Sequence, residues 1–219
     1  MLTTVSNTIT RTYSLRIMIA MFAGVAFFFW LFNFSTLPLS NPELMKLSNG
    51  EGLLDLRIYY TAREAFHAMA HYGSVGRTLY LRFLATDFVF LVIYGLAFSL
   101  LFARMALALF NPTSPWRKIN LLPLGIALAD FVEDTCLLLL LTGYPERYLF
   151  IGTLAGMATL TKHVLTISAL SFLAYGCLRL LTRGFGSKKR LLTEINNLTG
   201  ELSLHIFTLC FLQTSSLPK

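Results

Sequence analysis

Five ionisable side chains lie inside long apolar segments of this 219-residue chain. They are four carboxylates and one lysine, namely Asp87, Asp130, Glu133, Asp134 and Lys162. A charge at bilayer depth costs at least ~2.5–3.5 kcal/mol on insertion scales, and residues of this kind usually face the inside of a helical bundle or a water-filled cavity. The pattern therefore predicts an all-α membrane protein with a buried ionisable centre.

The composition favours a membrane protein over a soluble one. Hydrophobic residues make up 55% of the chain and charged residues only 13%, whereas a soluble domain is about 25% charged. Basic residues cluster beside the apolar segments, so membrane orientation explains the net charge of +7 better than a nucleic-acid partner does. We therefore expect no nucleic-acid partner. The three cysteines form no C-x-x-C pair, which argues against a disulfide framework.

Four apolar segments are long enough to cross a bilayer as helices. We expect these spans at about residues 17–34, 83–103, 119–141 and 148–178. Residues 1–183 would then form an all-α, four-transmembrane-helix bundle, with a short extracytoplasmic helix from Thr61 to Tyr72 inside the outer loop 35–81. Residues 184–219 would form a cytoplasmic tail that is either flexible or placed on the membrane surface.

The basic residues also predict the orientation of the spans. They precede the first span, mark the loop between the second and third spans, and follow the fourth. The positive-inside rule then places both termini in the cytoplasm, with the loop 35–81 on the outer side.

Three of the expected spans carry polar residues along one face. The spacings are i, i+3 and i+4 in two spans and i, i+7 in the third, so each set lies on one side of its helix. At ~1.5 Å rise per residue, Asp130 and Lys162 lie at similar depths, and we expect them to pair. The predicted polar centre contains Asp87, Tyr94, Asp130, Glu133, Asp134, Lys162 and His163.

The charges of this centre do not balance, because four carboxylates face one lysine, with His163 as a second candidate cation. Unpaired buried carboxylates tend to stay protonated, because burial disfavours the charged form. Otherwise Arg77 or Arg82 reaches in from the outer rim, or a cationic ligand completes the site. Three interpretations stay open: a ligand or substrate site, a hydrogen-bond network that holds the helices together, and a path for ions or protons.

Two weaker features lie before the second span. Arg77 and Tyr80 would form an outer rim that contacts a lipid headgroup. His67 and His71 have the i, i+4 spacing that can present two imidazoles to one zinc ion, but the sequence offers no evident third ligand. We therefore expect no metal and no cofactor.

A longer pattern carries a resemblance to a known family. It consists of Tyr60, Gly73, Gly76, Arg77, Tyr80, Asp87 and Tyr94, followed by the motif Ala-Asp-Phe-Val-Glu-Asp at 129–134 and by Thr161-Lys162. Over roughly residues 50–180 the chain resembles small, uncharacterised four-span membrane proteins, mainly bacterial. The resemblance implies four spans and no known activity. Together with the orientation that the basic residues predict, it leads us to expect a bacterial inner (plasma) membrane protein, N-in and C-in. The family is expected to have Asn more often than Asp at position 134, which leaves the pairing of Asp134 open.

These features predict an integral membrane protein whose buried ionisable pocket opens toward the outer face and binds or processes a small amphiphile or lipid. Its expected partners are the lipid bilayer and that amphiphile. One alternative is a non-catalytic membrane subunit whose polar cluster fixes helix packing. Another is a small transporter, which would form an oligomer because four spans are few for one subunit. The residues do not decide between an enzyme and a binding protein.

Overall fold

The computed structural model of the chain describes the backbone of residues 2–11 and 15–214 and the side chains of residues 4–9 and 16–182. Within these residues the chain is all-helical, as expected, with 3-10 segments at Leu54–Leu56 and Pro115–Leu121. The α-helices are α1 (Leu2–Arg11), α2 (Leu15–Phe34), α3 (Asn41–Leu47), α4 (Ala62–His71), α5 (Gly73–Leu109), α6 (Leu122–Gly143) and α7 (Leu149–Thr214).

Three helices of the described chain are long and apolar enough to cross a membrane, which is compatible with an integral membrane protein. The candidate segments are Arg16–Phe34, Gly73–Leu109 and Leu149–Thr182. The helix α6, at 22 residues, is also long enough for a crossing. It differs from the other three because it carries three carboxylates within one and a half turns, at positions 130, 133 and 134.

The chain divides into two compact units, Met1–Leu173 and Ala174–Lys219. All residues of the candidate site belong to the first unit. The expected tail, residues 184–219, lies outside the residues whose side chains the structure describes, and its backbone is helical as far as Thr214.

The helix α5 begins well before the span expected at 83–103. Tyr72 ends α4, and Gly73 has a φ of +58°, a left-handed conformation that glycine adopts without a steric penalty. The chain therefore turns at a single residue and becomes helical again at once. Residues 73–81, which the sequence assigned to the outer loop, are the first turns of α5.

Aromatic side chains fix the packing of α2 against α5. Phe22 contacts Phe98 with ring centroids 5.3 Å apart, and Phe32 contacts Phe83 at 4.6 Å. The residue numbers rise along α2 as they fall along α5, so the two helices are antiparallel. Edge-to-face and tilted aromatic pairs of this kind contribute about 0.5–1.5 kcal/mol each beyond the area that they bury.

The helices α5 and α6 are also antiparallel and approach each other closely at a glycine. A Cβ atom built on Gly95 would lie 3.0 Å from the Cβ of Ala127, and the rings of Phe88 and Phe131 are 5.5 Å apart. Small residues at such crossings let two helix backbones approach. This close packing brings the polar faces of α5 and α6 together.

The N-terminal helix lies at the same end of the structure as the segment between α5 and α6. Ser6 Oγ donates a hydrogen bond to Asn120 Oδ1 at 2.7 Å, and Asn120 Nδ2 donates to the Ser6 carbonyl at 3.2 Å. Asn120 is fully buried. The pair therefore connects α1 to the 3-10 segment that precedes α6.

The segment before α4 packs directly on α7. A capping box between Thr61 and Glu64 fixes the first turn of α4. A Cβ atom on Gly156 would lie 2.0 Å from the carbonyl oxygen of Tyr60, and one on Gly152 would lie 2.8 Å from the Cβ of Ala62. Only glycine leaves room for this contact, which places Tyr60 at the polar face of α7.

We expect Gly156→Ala to destabilise the protein by about 1–3 kcal/mol, the usual cost of overpacking, because the new methyl group would overlap the Tyr60 backbone. Gly125→Ala is the matched control, since a Cβ atom there meets only Leu165 Cδ1 at 3.7 Å and alanine favours a helix. Unfolding of both variants in detergent micelles measures the difference. Equal stability of the two variants would contradict the close contact.

Candidate functional site

The ammonium group of Lys162 on α7 is the centre of the candidate site. Its Nζ lies 2.8 Å from Asp130 Oδ1 and 2.7 Å from Glu133 Oε2, and it donates a hydrogen bond to the backbone carbonyl of Asp55 at 3.3 Å. Two of the three N–H donors of the ammonium group therefore form hydrogen bonds, to Asp130 and to the Asp55 carbonyl, and Glu133 is held as an ion pair. The predicted pair of Asp130 and Lys162 is confirmed, and Glu133 is a second carboxylate partner.

Hydroxyl groups hold the two carboxylates that face Lys162. Glu133 is fully buried, and its Oε1 accepts from Thr159 Oγ1 at 2.5 Å and from Tyr60 Oη at 3.3 Å. Asp130 Oδ2 accepts from Tyr94 Oη at 2.8 Å. Both carboxylates therefore bind the ammonium group with one oxygen and a hydroxyl group with the other, which fixes their orientation.

Asp55 also belongs to this centre, and it is not among the residues that the sequence pattern predicted there. Its side chain is buried, and Oδ1 accepts a hydrogen bond from Tyr80 Oη at 3.2 Å. Burial raises the pKa of the Asp55 carboxyl to about 7, an effect that Glu133 and Asp130 strengthen and Lys162 opposes. A signal was present in the sequence, because Asp55 is the one charge within Leu53-Leu54-Asp55-Leu56.

The expected outer rim of Arg77 and Tyr80 has a different role in the structure. Tyr80 is fully buried beneath the 3-10 segment, where its Oη also accepts from the Leu54 amide at 3.0 Å; it does not reach a lipid headgroup. Arg77 donates to the Met69 carbonyl at 3.1 Å and lies over the ring of Tyr144, 4.0 Å from its centroid. Arg77 therefore connects the end of α4 to the end of α6.

Asp87 on α5 and Asp134 on α6 lie beside Asp130 and complete the group of carboxylates. One oxygen from each of the three residues lies within 4.8 Å of the others, and all three side chains are buried. Asp134 is 0% exposed, and neither of its carboxylate oxygens has a hydrogen-bond partner within the described part of the chain. The structure thus brings together all four predicted carboxylates, with Lys162 contacting two of them.

A cavity of about 490 Å³ adjoins the ionic centre. Asp55, Tyr94, Asp130, Lys162 and His163 lie at its polar end, where His163 Nδ1 donates to the Thr159 carbonyl at 2.9 Å. The cavity has a charged end and an apolar body. Its apolar walls include Phe29, Phe90, Phe98, Phe102, Leu170 and Leu173.

The cavity opens at the surface of the protein between α2 and α7. Phe29 on α2 and Leu170 on α7 both line it, and both are more than half exposed. The segment between α3 and α4, residues 48–61, is called the outer segment after its expected location. It bounds the polar end of the cavity through Asp55 and Leu56. The opening described by these residues is therefore lateral, beside the apolar part of the helices.

His67 and His71 on α4 have a third neighbour, Glu51, which the sequence did not reveal. Glu51 Oε1 lies 3.7 Å from His67 Nδ1, and the rings of His67 and His71 have centroids 4.2 Å apart. Arg57 pairs with the same Glu51 carboxylate, and both histidines are exposed. The Glu51 carboxylate therefore connects α4 to the segment before it.

Comparison of the chain with protein-family models, curated proteins and solved structures found no match. The resemblance of residues 50–180 to small four-span membrane proteins therefore stays a prediction.

We expect Lys162→Met to destabilise the fold by about 3–5 kcal/mol, because it leaves Asp130 and Glu133 buried without their cation. The triple variant that adds Asp130→Asn and Glu133→Gln should recover much of this loss. Lys118→Met, at an exposed position, is the control and should change little. Unfolding in mixed micelles gives the free energies. Simple additivity of the three single changes would show that the charges are not coupled.

Proposed function

We propose that this protein is an integral membrane protein that binds or processes a small amphiphile or lipid in the cavity beside Lys162. The observation that carries the proposal is the polarity of the cavity, which has an ionic end and an aromatic and aliphatic body. A headgroup with hydrogen-bonding groups fits the first, and an acyl or similar chain fits the second. The volume of about 490 Å³ is within the ~300–1,000 Å³ of small-molecule sites.

The lateral opening supports a ligand that comes from the bilayer. A lipid that enters between α2 and α7 would pass apolar side chains before its headgroup reaches Asp130 and His163. These two residues are titratable groups on the wall of the cavity. Binding would use them as hydrogen-bonding partners, and a processing reaction would depend on them for proton transfer.

We also propose that α2, α5, α6 and α7 all cross the membrane, in a bacterial inner membrane with both termini in the cytoplasm. Ion pairs connect Asp130 with Lys162 and a hydrogen bond connects Glu133 with Thr159, so α6 and α7 are antiparallel like the preceding pairs. The carboxylates of α6 are buried against α5 and α7, which would keep them away from lipid. The segment containing Arg117 and Lys118 would be cytoplasmic.

A second candidate function is a non-catalytic membrane subunit whose ionic centre fixes helix packing. The observation that favours it is the set of contacts of Lys162, whose ammonium group forms ion pairs with Asp130 and Glu133 and donates to the Asp55 carbonyl within the protein. A structural centre of this kind needs no ligand. The two functions differ in whether the cavity is occupied in the membrane.

Filling the cavity tests the proposal. Ala169 is buried and lines the cavity, so Ala169→Phe should displace a bound amphiphile without a change in charge. Ser168→Phe is the matched control, because Ser168 is its exposed neighbour on α7. We expect mass spectrometry of purified protein to detect a stoichiometric amphiphile with wild type and with Ser168→Phe, and at least about tenfold less with Ala169→Phe.

Equal amphiphile content in the two phenylalanine variants would overturn the binding proposal. The absence of any stoichiometric amphiphile from the wild-type protein would favour the structural subunit. The melting temperature of each variant in the same detergent shows whether loss of ligand follows from loss of fold.

The orientation is tested by labelling single cysteines in a background without the three native ones. Ala70 and Thr113 are both exposed, and they lie on the proposed outer and cytoplasmic sides. We expect a membrane-impermeant maleimide to label Ala70→Cys on intact cells and Thr113→Cys only after permeabilisation, because the lipid core blocks the charged reagent. The reverse pattern would invert the topology, and labelling of both sites on intact cells would contradict the crossing of α5, which separates the two positions.

A further inference from the structure

Asp87, Asp130 and Asp134 form a cluster of three carboxylates, referred to here as the aspartate triad, behind the polar end of the cavity. Their nearest oxygens lie within 4.8 Å of one another. The three side chains are 4%, 7% and 0% exposed, respectively, so water does not screen their repulsion. Three ionised carboxylates at this separation would be strongly unfavourable without a positive charge among them.

Lys162 does not supply that charge to the whole triad. Its ammonium group forms ion pairs with Asp130 and Glu133 and donates to the carbonyl of Asp55. Within the triad it therefore contacts Asp130 alone. The remaining two carboxylates are balanced either by bound protons or by another cation.

The unpaired side chain of Asp134 is a second observation that indicates a ligand, independent of the repulsion within the triad. Both of its oxygens are buried, and neither has a hydrogen-bond donor among the described residues. Buried polar groups are nearly always paired, and an unpaired buried carboxylate is rarer still. One oxygen of Asp134 lies within 4.8 Å of oxygens of Asp87 and Asp130.

We propose that the aspartate triad binds a hard divalent cation, of the Mg²⁺ and Ca²⁺ class. The ligand atoms of the triad are all carboxylate oxygens, which such cations prefer over nitrogen and sulfur. Oxygens within 4.8 Å of one another fit around a cation with metal–oxygen distances of about 2.0–2.6 Å. The hydroxyl of Tyr94 supports the site from outside, since its hydrogen bond orients Asp130.

The proposed cation site goes beyond the binding of an amphiphile. Asp130 is the one residue of the triad that also lines the cavity. Asp130 lines the cavity, whereas Asp87 and Asp134 lie behind it. A cation on the triad would be a fixed positive charge next to the place proposed for the headgroup. Such a charge favours a headgroup that carries a phosphate or a carboxylate.

Binding of Mn²⁺ provides the test, because it is a paramagnetic member of the same class of oxygen-preferring cations. The full chain is purified in detergent, stripped with EDTA and titrated with Mn²⁺ while the signal of the free ion is recorded by electron paramagnetic resonance. We expect a single Mn²⁺ per chain that Mg²⁺ and Ca²⁺ each displace. The stronger competitor of the two identifies the preferred cation.

Asp134→Asn should lower the Mn²⁺ affinity at least tenfold, since loss of even an outer-shell partner costs about 10–100-fold. Asp55→Asn is the matched control: it neutralises a buried carboxylate of the same ionic centre that is not a member of the triad, and it should retain binding. Asp87→Asn is the second variant if Asp134→Asn does not fold. Ala169→Phe should bind Mn²⁺ normally, which separates this proposal from that of the amphiphile.

Two results would overturn the cation site. One is the absence of saturable Mn²⁺ binding to folded wild-type protein, which would leave protons shared among the carboxylates as the neutralising charge. The other is unchanged affinity in Asp134→Asn and Asp87→Asn, which would place the bound ion elsewhere. Loss of binding in Asp55→Asn together with retention in Asp134→Asn would assign the cation to the Lys162 side of the centre.

Discussion

The ion pairs of Lys162 hold together three parts of the chain that are distant in sequence. One ammonium group binds two carboxylates of α6 from its place on α7, and it also binds the backbone of the outer segment at Asp55. Replacing a buried ion pair by apolar residues is often neutral, whereas removal of one partner is costly. The main effect of such a centre is therefore to specify one arrangement, in this case the register of α6 against α7 and the position of the outer segment.

Close backbone packing makes this centre geometrically accessible. The contact of Gly156 with the Tyr60 carbonyl lets the outer segment lie on α7, and Tyr60 then reaches Glu133 with its hydroxyl group. The same segment carries Asp55, which Tyr80 holds from beneath. The close glycine contact, the buried tyrosines and the buried charges thus depend on one another. A change to any of them alters the surroundings of Lys162.

The helical part of the site was accessible to sequence reasoning because a helix repeats its faces at known intervals. The stripes on three helices predicted that Asp130 and Lys162 meet, and the structure places their atoms 2.8 Å apart. The outer segment has no such period, so no pattern in the sequence marks Asp55 as buried. Tyr80 was assigned to the surface for the same reason, because its burial comes from the outer segment folding over it. The start of α5 was missed because Gly73 turns the chain within one residue, whereas a glycine-rich stretch usually predicts a loop.

The ionic centre is divided by its partners into two halves that share Asp130. On one side, the Lys162 ammonium group forms ion pairs with Glu133 and Asp130 and donates a hydrogen bond to the Asp55 carbonyl. On the other side, Asp87 and Asp134 have no comparable cation among the described residues, and the oxygens of Asp134 lack donors. Asp130 belongs to both halves and to the wall of the cavity. A ligand in the cavity and a cation on the aspartate triad would both act on this carboxylate, so each would change the binding free energy of the other by the same amount. The sign of that coupling follows from charge: an anionic headgroup and the cation would bind cooperatively, whereas a cationic headgroup would compete with it for the carboxylates.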